Sequence, residues 1–205
     1  MPANSNTAGG SRAGRSRGQR DYGEESYELQ WHNERREQQR IIEYIRGRSL
    51  ATTSLDAFLT DAAAVAAEVL CADLAQILEY DPVTRGFRVR AGIGWRENAD
   101  RDTLSAGDGA QMGYAYAAHG TVVVERLDQV AALRGPGRLR DHGVVSGASV
   151  LIAGQESPFG VLSVYTTGHR LFTPDDVEFL QSIASVTSAA VCRSASHPRA
   201  GFQQG

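Results

Sequence analysis

The stretch GASVLIAGQESPFGVLSVYTTGHRLFTPDDVEFLQSIASVTSAAV, residues 147–191, constrains the fold of this chain more than any other. Two apolar, β-prone runs, GASVLIAG (147–154) and FGVLSVYTT (159–167), flank Gln155-Glu156-Ser157-Pro158. Four residues of turn chemistry between two such runs predict an antiparallel hairpin. A helix start follows. Thr173 offers a side-chain acceptor at the cap, Pro174 stands where a missing N–H costs nothing, and Asp175 and Asp176 lie against the positive end of the helix dipole. Val177, Leu180, Ile183, Ala184, Thr187, Ala190 and Val191 then recur at helical spacing. A helix over 174–194 would be about 31 Å long.

The preceding half supplies a matching set. Residues 74–80 (LAQILEY) and 87–94 (FRVRAGIG) flank the polar connection 81–86 and predict a first hairpin. Val89 and Ala91 alternate with Arg88 and Arg90, which puts the first pair on one dry face. Ser54 caps a helix whose stripe is Leu55, Phe58, Leu59, Ala62, Val65, Ala66, Val69 and Leu70. AQMGYAYAA (110–118) predicts a short helix and TVVVE (121–125) a short strand. Residues 95–108 and 126–142 read as loops, the second closing in a helical turn at 138–142. Hairpins with helices before and after them make an α+β sandwich, not an alternating parallel fold.

Residues 1–27 hold almost no aliphatic side chain and are expected to be a disordered Arg/Gly/Ser-rich arm. Its Arg12, Arg15, Arg17 and Arg20 read as a solubilising tail or as an arm for an acidic partner, RNA or a membrane surface. Residues 28–48 form a polar helix anchored by Leu29, Ile41, Ile42 and Ile45, with Gly47 as its stop. A helix that polar either stands in solvent or pairs with a copy of itself. The folded unit is expected over 50–194, and 195–205 as a flexible tail.

All 21 basic residues are arginine. Without a lysine the chain cannot carry a phosphate-binding Walker loop, a Schiff base or the strand lysine of a protein kinase. A net charge of −3 argues against a dedicated nucleic-acid protein. No apolar run reaches the ~18–20 residues of a membrane span, and the N-terminus lacks the apolar core of a signal peptide. A cytoplasmic location is expected, with Cys71 and Cys192 as thiols or, less simply, as a pair. The five histidines, His32, His119, His142, His169 and His197, have no metal-binding spacing. GVVSG (143–147) is not the Gly-x-Ser-x-Gly elbow. GDGAQMG (107–113) fails the dinucleotide fingerprint in spacing and context, which leaves a structural turn or a helix start at Ala110 whose amides could hold an anion.

HGVVSGASVLI (142–152), PFGVLSVYTT (158–167) and LFTPDDVEFLQSIASVTSAAV (171–191) together resemble the closing half of a bacterial GAF domain. There the phrase runs Gly-hydrophobic-Leu-x-Val, Phe-Thr-x-x-Asp, then a long amphipathic helix. GAQMGYAYAAHGTVVVE (109–125) is similar to the family's middle region, with Thr121 where a proline is usual. The resemblance covers about residues 50–194 and is nearest to modules that sit ahead of sensor histidine kinases and other signalling output domains. It implies a PAS-related twisted antiparallel sheet of five to six strands, the terminal helices packed on one face and a roofed ligand pocket on the other. By position the roof comes from 95–118 and 126–146, which nominates Trp95, Gln111, Tyr114, Tyr116, His142, Ser146 and Ser149 as ligand-binding residues.

The family's known chemistries can be tested on the residues. Cyclic-nucleotide members carry an Asn-Lys-Phe signature, which a chain without lysine cannot have. Bilin attachment needs a pocket cysteine, and none lies between Cys71 and Cys192; the same gap weighs against sulfoxide-reducing members. Haem would need an axial histidine, for which only His119 and His142 are placed, and it is not the expected ligand. The resulting expectation is a non-enzymatic sensor in a signalling pathway such as a two-component system. It would bind a small molecule, dimerise through helices 28–47 and 174–194, and signal to a separate output protein such as a histidine kinase. Only eleven residues follow Ser194, which is why the output is expected in another chain. The competing expectation is a scaffold that kept the fold and lost the ligand; a small enzyme ranks behind both, for want of a nucleophile–base pair.

Overall fold

Proline breaks a helix by removing a donor and clashing with the preceding turn, and none occurs between Pro2 and Pro82. The computed structural model describes residues 18–52, 54–96, 103–105, 110–130 and 138–196, and its first element, α1, spans Gly18–Ala51. It begins inside the stretch expected to be disordered and runs through Gly47, the expected stop, by four residues. Glycine in a helix costs about 1 kcal/mol relative to alanine. Packing outweighs that cost, because Ile42 and Ile45 before it and Ser49 after it are all buried.

The chain divides into two units, Met1–Glu37 and Gln38–Gly205. Within the first, Arg36 donates to the His32 carbonyl at 3.3 Å and to Asn33 Oδ1 at 3.1 Å, on an exposed surface. The second contains everything that follows.

Ser54 caps α2 (Leu55–Val69) by accepting the Ala57 N–H at 3.3 Å. The buried stripe of α2 is Phe58, Leu59, Ala62, Ala63, Ala66 and Ala67, rotated toward the alanines relative to the sequence expectation. Small side chains let the helix lie close to the sheet. Strands β1 (Leu74–Asp81), β2 (Gly86–Ile93), β3 (Thr103–Ser105), β4 (Val122–Val124), β5 (Ser146–Ile152) and β6 (Gly160–Thr166) form one sheet in the order β3-β2-β1-β6-β5-β4, antiparallel throughout. Both expected hairpins are present, β1–β2 and β5–β6. Strand β3 was expected to be loop; three residues carry too short a pattern to show alternation.

One register detail corrects the reading of β2. Ile77 pairs with Ala91 but Leu78 pairs with Val89, so Arg90 is an extra residue bulged out of the ladder. Val89 and Ala91 therefore pack on opposite faces, Ala91 with the helices and Val89 with Leu78, Phe87, Leu104, Ala115 and Val161. The bulged Arg90 pairs with Asp56 at 2.6 Å and Glu79 at 2.7 Å, joining α2 to the sheet.

Helix α5 (Pro174–Ser196) lies with α2 and the end of α1 on one face, over Ala75, Ile77, Ala148, Val150, Ile152, Leu162 and Val164. Its buried stripe includes Phe179 and Val186 as well as the expected positions, and leaves Val177 half-buried. Phe172 is buried beneath it. Arg193 donates to the carbonyl and hydroxyl of Ser49 at 3.0 and 3.1 Å, and Arg48 pairs with Asp61, so the last turns of α1 are tied to both other helices. The opposite face carries α3 (Ala110–Ala117), a 3₁₀ turn at Leu127–Gln129 and α4 (Arg138–Asp141). Residues 107–109 of the GDGAQMG motif and the whole of Gly135-Pro136-Gly137 lie outside the described residues, while Ala110 opens α3 as expected.

Candidate functional site

Strand alternation sorts the three central strands into two chemically different faces. On β1, β5 and β6 the helix-side residues are aliphatic apart from Ser146 and Thr166 at the strand ends. The residues between them include Gln76, Ser149, Ser163 and Tyr165, all fully buried and all directed to the other side. Register puts three of these in one row, because Gln76 pairs with Ser163 and Ser163 with Ser149. Ser149 and Ser163 share a hydrogen bond of 2.8 Å, and Gln76 Nε2 donates to the Tyr165 hydroxyl at 3.3 Å. Gly147 stands beside Tyr165 in the next row and adds no side chain of its own. Burial pushes the Tyr165 phenol up, opposed by Ser163, Gln76, Ser149 and the charge of Arg138, so its hydroxyl stays protonated and can both donate and accept.

Over this floor stands an aromatic-cationic group. Gly94 takes a left-handed φ of 78°, and a Cβ there would meet the Asp73 carbonyl at 2.1 Å; only glycine lets the chain turn here to present Trp95. Trp95 Nε1 donates to the Ala75 carbonyl at 2.8 Å and the ring meets Tyr165 edge-on at 5.9 Å. Arg138, at the start of α4, lies over the indole at 4.1 Å with its guanidinium nitrogens buried. His142 contacts the indole edge at 4.9 Å, bonds the Arg138 carbonyl through Nδ1 at 2.7 Å and accepts the Arg96 N–H at Nε2, 3.1 Å. That pattern fits the Nδ1–H tautomer and latches α4 to the segment after β2.

The rest of this face is aromatic. Tyr116 stacks on Tyr80 at 4.3 Å, meets Phe87 edge-on at 5.5 Å and donates to the Pro158 carbonyl at 3.4 Å. It fills its own space.

Of the residues nominated from sequence, Trp95, His142 and Ser149 come together. Tyr116 lies under the roof but in the aromatic packing. Tyr114 is 53 % exposed, because α3 turns residues two apart to different sides. Ser146 is buried on the helix face, since it lies three positions from Ser149 on a strand of period two. Gln111 belongs to α3, and its side chain lies outside the described residues. Sequence reasoning passed over Gln76, Ser163, Tyr165 and Arg138. The first three had a signal: polar residues at alternate positions inside runs that are otherwise apolar. Arg138 had none.

Among the described residues no cluster of three metal-capable side chains occurs, and no helix is long and apolar enough to cross a membrane. His119 is exposed, and Cys71 and Cys192 are both free thiols.

A family model described as GAF domain matches residues 52–191. Among solved structures the chain is similar to a GAF domain from a phosphoenolpyruvate-protein phosphotransferase of Coxiella burnetii (17 % identity, 78 % of this chain and 95 % of that one, TM-score 0.69). It is likewise similar to the free methionine-R-sulfoxide reductase of Neisseria meningitidis in complex with its substrate (20 %, 77 % and 91 %, 0.66). A third is the phycocyanobilin-bound GAF domain of a cyanobacterial phytochrome (19 %, 79 % and 97 %, 0.64). At such identities the likeness is one of fold. No curated protein matches the sequence.

Proposed function

The chain belongs to the GAF domain family, and from that we propose that it is a non-enzymatic sensory module that binds a small polar molecule on the roofed face of its sheet. The observation that carries this reading is the row Gln76–Ser163–Ser149 with Tyr165. Burying a hydroxyl or amide costs free energy that internal hydrogen bonds only offset, whereas the helix side of the same strands is aliphatic along its centre, with Ser146 and Thr166 only at the strand ends. A sheet face that served packing alone would gain by being aliphatic on both sides. A ligand carrying donors and acceptors gives those groups a use, and Trp95, Arg138 and His142 close over it.

Two of the similar structures hold a small molecule, one its substrate and the other a bilin. The site here contains no thiol among its described residues, which favours reversible binding over covalent attachment or thiol redox chemistry. The bound state then favours one arrangement of roof and terminal helices, and can do so only by the difference in its affinity for the two. Helices α1 and α5 pair with those of a second copy and pass the change to a separate signalling protein, such as a histidine kinase, in the bacterial cytoplasm. The opposing reading, a ligand-free scaffold, is favoured by the Tyr80–Phe87–Tyr116 cluster, which already fills part of the roofed face.

Native mass spectrometry of freshly purified full-length protein separates the two. The sensor retains a small-molecule adduct on a dimer, and Ser149→Ala or Tyr165→Phe weakens binding of that compound roughly 3- to 10-fold, the worth of one hydrogen bond. A bare mass, with no compound of a broad metabolite set raising the melting temperature, leaves only the scaffold.

A further inference from the structure

Ser146 opens β5, and its hydroxyl is where the roof chain enters the sheet. Oγ donates to the Glu125 carbonyl at 2.6 Å, accepts the Arg170 N–H at 3.0 Å and lies 3.4 Å from the Gly168 carbonyl. Val145, the residue before it, donates to the Thr166 carbonyl at 2.8 Å and accepts the Leu127 N–H at 2.8 Å. Four residues back stands His142, which latches α4 to Trp95 and Arg96. On the far side Arg170 carries the connection onward. Its guanidinium donates to the Leu70 carbonyl at the C-cap of α2 and to Asp176 Oδ1, in the first turn of α5, at 3.4 Å. The guanidinium itself lies over the Phe172 ring at 5.0 Å.

We propose that the Ser146–Arg170 joint is the coupling element through which the state of the roof sets the end of α2 and the start of α5. This rests on the sensory reading above and adds to it the route by which occupancy reaches the helices. Ser146 is fully buried, so water cannot replace either of its bonds when Val145 shifts. The roof chain and the turn at 168–170 must then move together, or leave a buried group unsatisfied. One side chain that bridges two helix ends converts that displacement into a relative movement of α2 and α5, of the kind packed elements make between discrete arrangements. A second link from the roofed face to α5, Gln181 Nε2 to Thr121 Oγ1 at 2.9 Å, is exposed, and water substitutes for it.

Amide hydrogen exchange on the full chain tests the joint without any ligand, with His142→Ala as the perturbation of the roof. The joint predicts that His142→Ala accelerates exchange of the amides at 177–180 by about fivefold or more, the low end of ordinary allosteric coupling. Ser146→Ala and Arg170→Met each accelerate the same amides, and adding His142→Ala to either brings no further change, since the link is already cut. Acceleration confined to residues 138–146, or factors that multiply in the double variants, overturns the proposal. Should Ser146→Ala fail to fold by circular dichroism, Arg170→Met carries the comparison alone. A protein that binds nothing can still show this coupling, and one that binds can lack it, so the two readings fail separately.

Discussion

Asp73, in the turn before β1, receives both the N–H and the hydroxyl of Thr167 on one carboxylate oxygen, at 2.6 and 2.8 Å. The N–H is the larger cause that holds its carboxyl below the usual carboxylate range, with the hydroxyl adding and slight desolvation opposing. A folded-state pKa lower than the unfolded one stabilises the fold above the unfolded value, near 3.9, and that stabilisation disappears as pH falls through the lower folded value. Asp73→Asn is therefore expected to lower the urea midpoint at neutral pH and to flatten its decline in acid, so that the variant and the parent converge at low pH. Curves that stay parallel across the acid range would count against the bond. The same scale explains which nominated residues reached the site. Position under the implied roof and residue type nominated seven side chains; the parity of a strand position then sent Ser149 to the floor and Ser146 to the opposite face.

At the scale of elements, α5 shows how local chemistry fixes a boundary. Asp176 N–H donates to Thr173 Oγ1 at 3.2 Å while Thr173 N–H donates to Asp176 Oδ2 at 2.9 Å, a reciprocal capping box with aspartate in the place of glutamate. Pro174 between them needs no donor. Thr173→Ala is expected to cost about 1 kcal/mol, and Thr173→Ser far less, in equilibrium urea unfolding. Equal losses in both variants would place the stabilisation in the methyl group, not the hydroxyl. Start signals of this kind made α5 and α2 legible from sequence. The β2 bulge was not legible, because one extra residue leaves composition unchanged and shows only in the partner's register. Strand β3 was missed for a related reason: it exists through pairing with Gly86, Phe87 and Arg88 rather than through a pattern of its own.

For the molecule as a whole, the last turns of α1 belong to the same core as α2, α5 and the sheet, with Ile45 wholly enclosed. Ile45→Ala is expected to cost about 2–5 kcal/mol. For a chain of this size that lowers the melting temperature by several degrees per kcal/mol or somewhat less. Circular dichroism and exchange of the β6 amides should lose structure in one shared transition; separate transitions would show that α1 is an appendage. The sequence by itself determined the fold class, both hairpins, the capped helices and the exclusion of lysine-dependent chemistry, because these follow from local periodicity and residue type. The tertiary structure alone decided the site. Gln76, Ser149, Ser163 and Tyr165 lie on three strands and Arg138 on a fourth segment, and only sheet order, register and the fold of the roof bring groups so distant in the chain to one site.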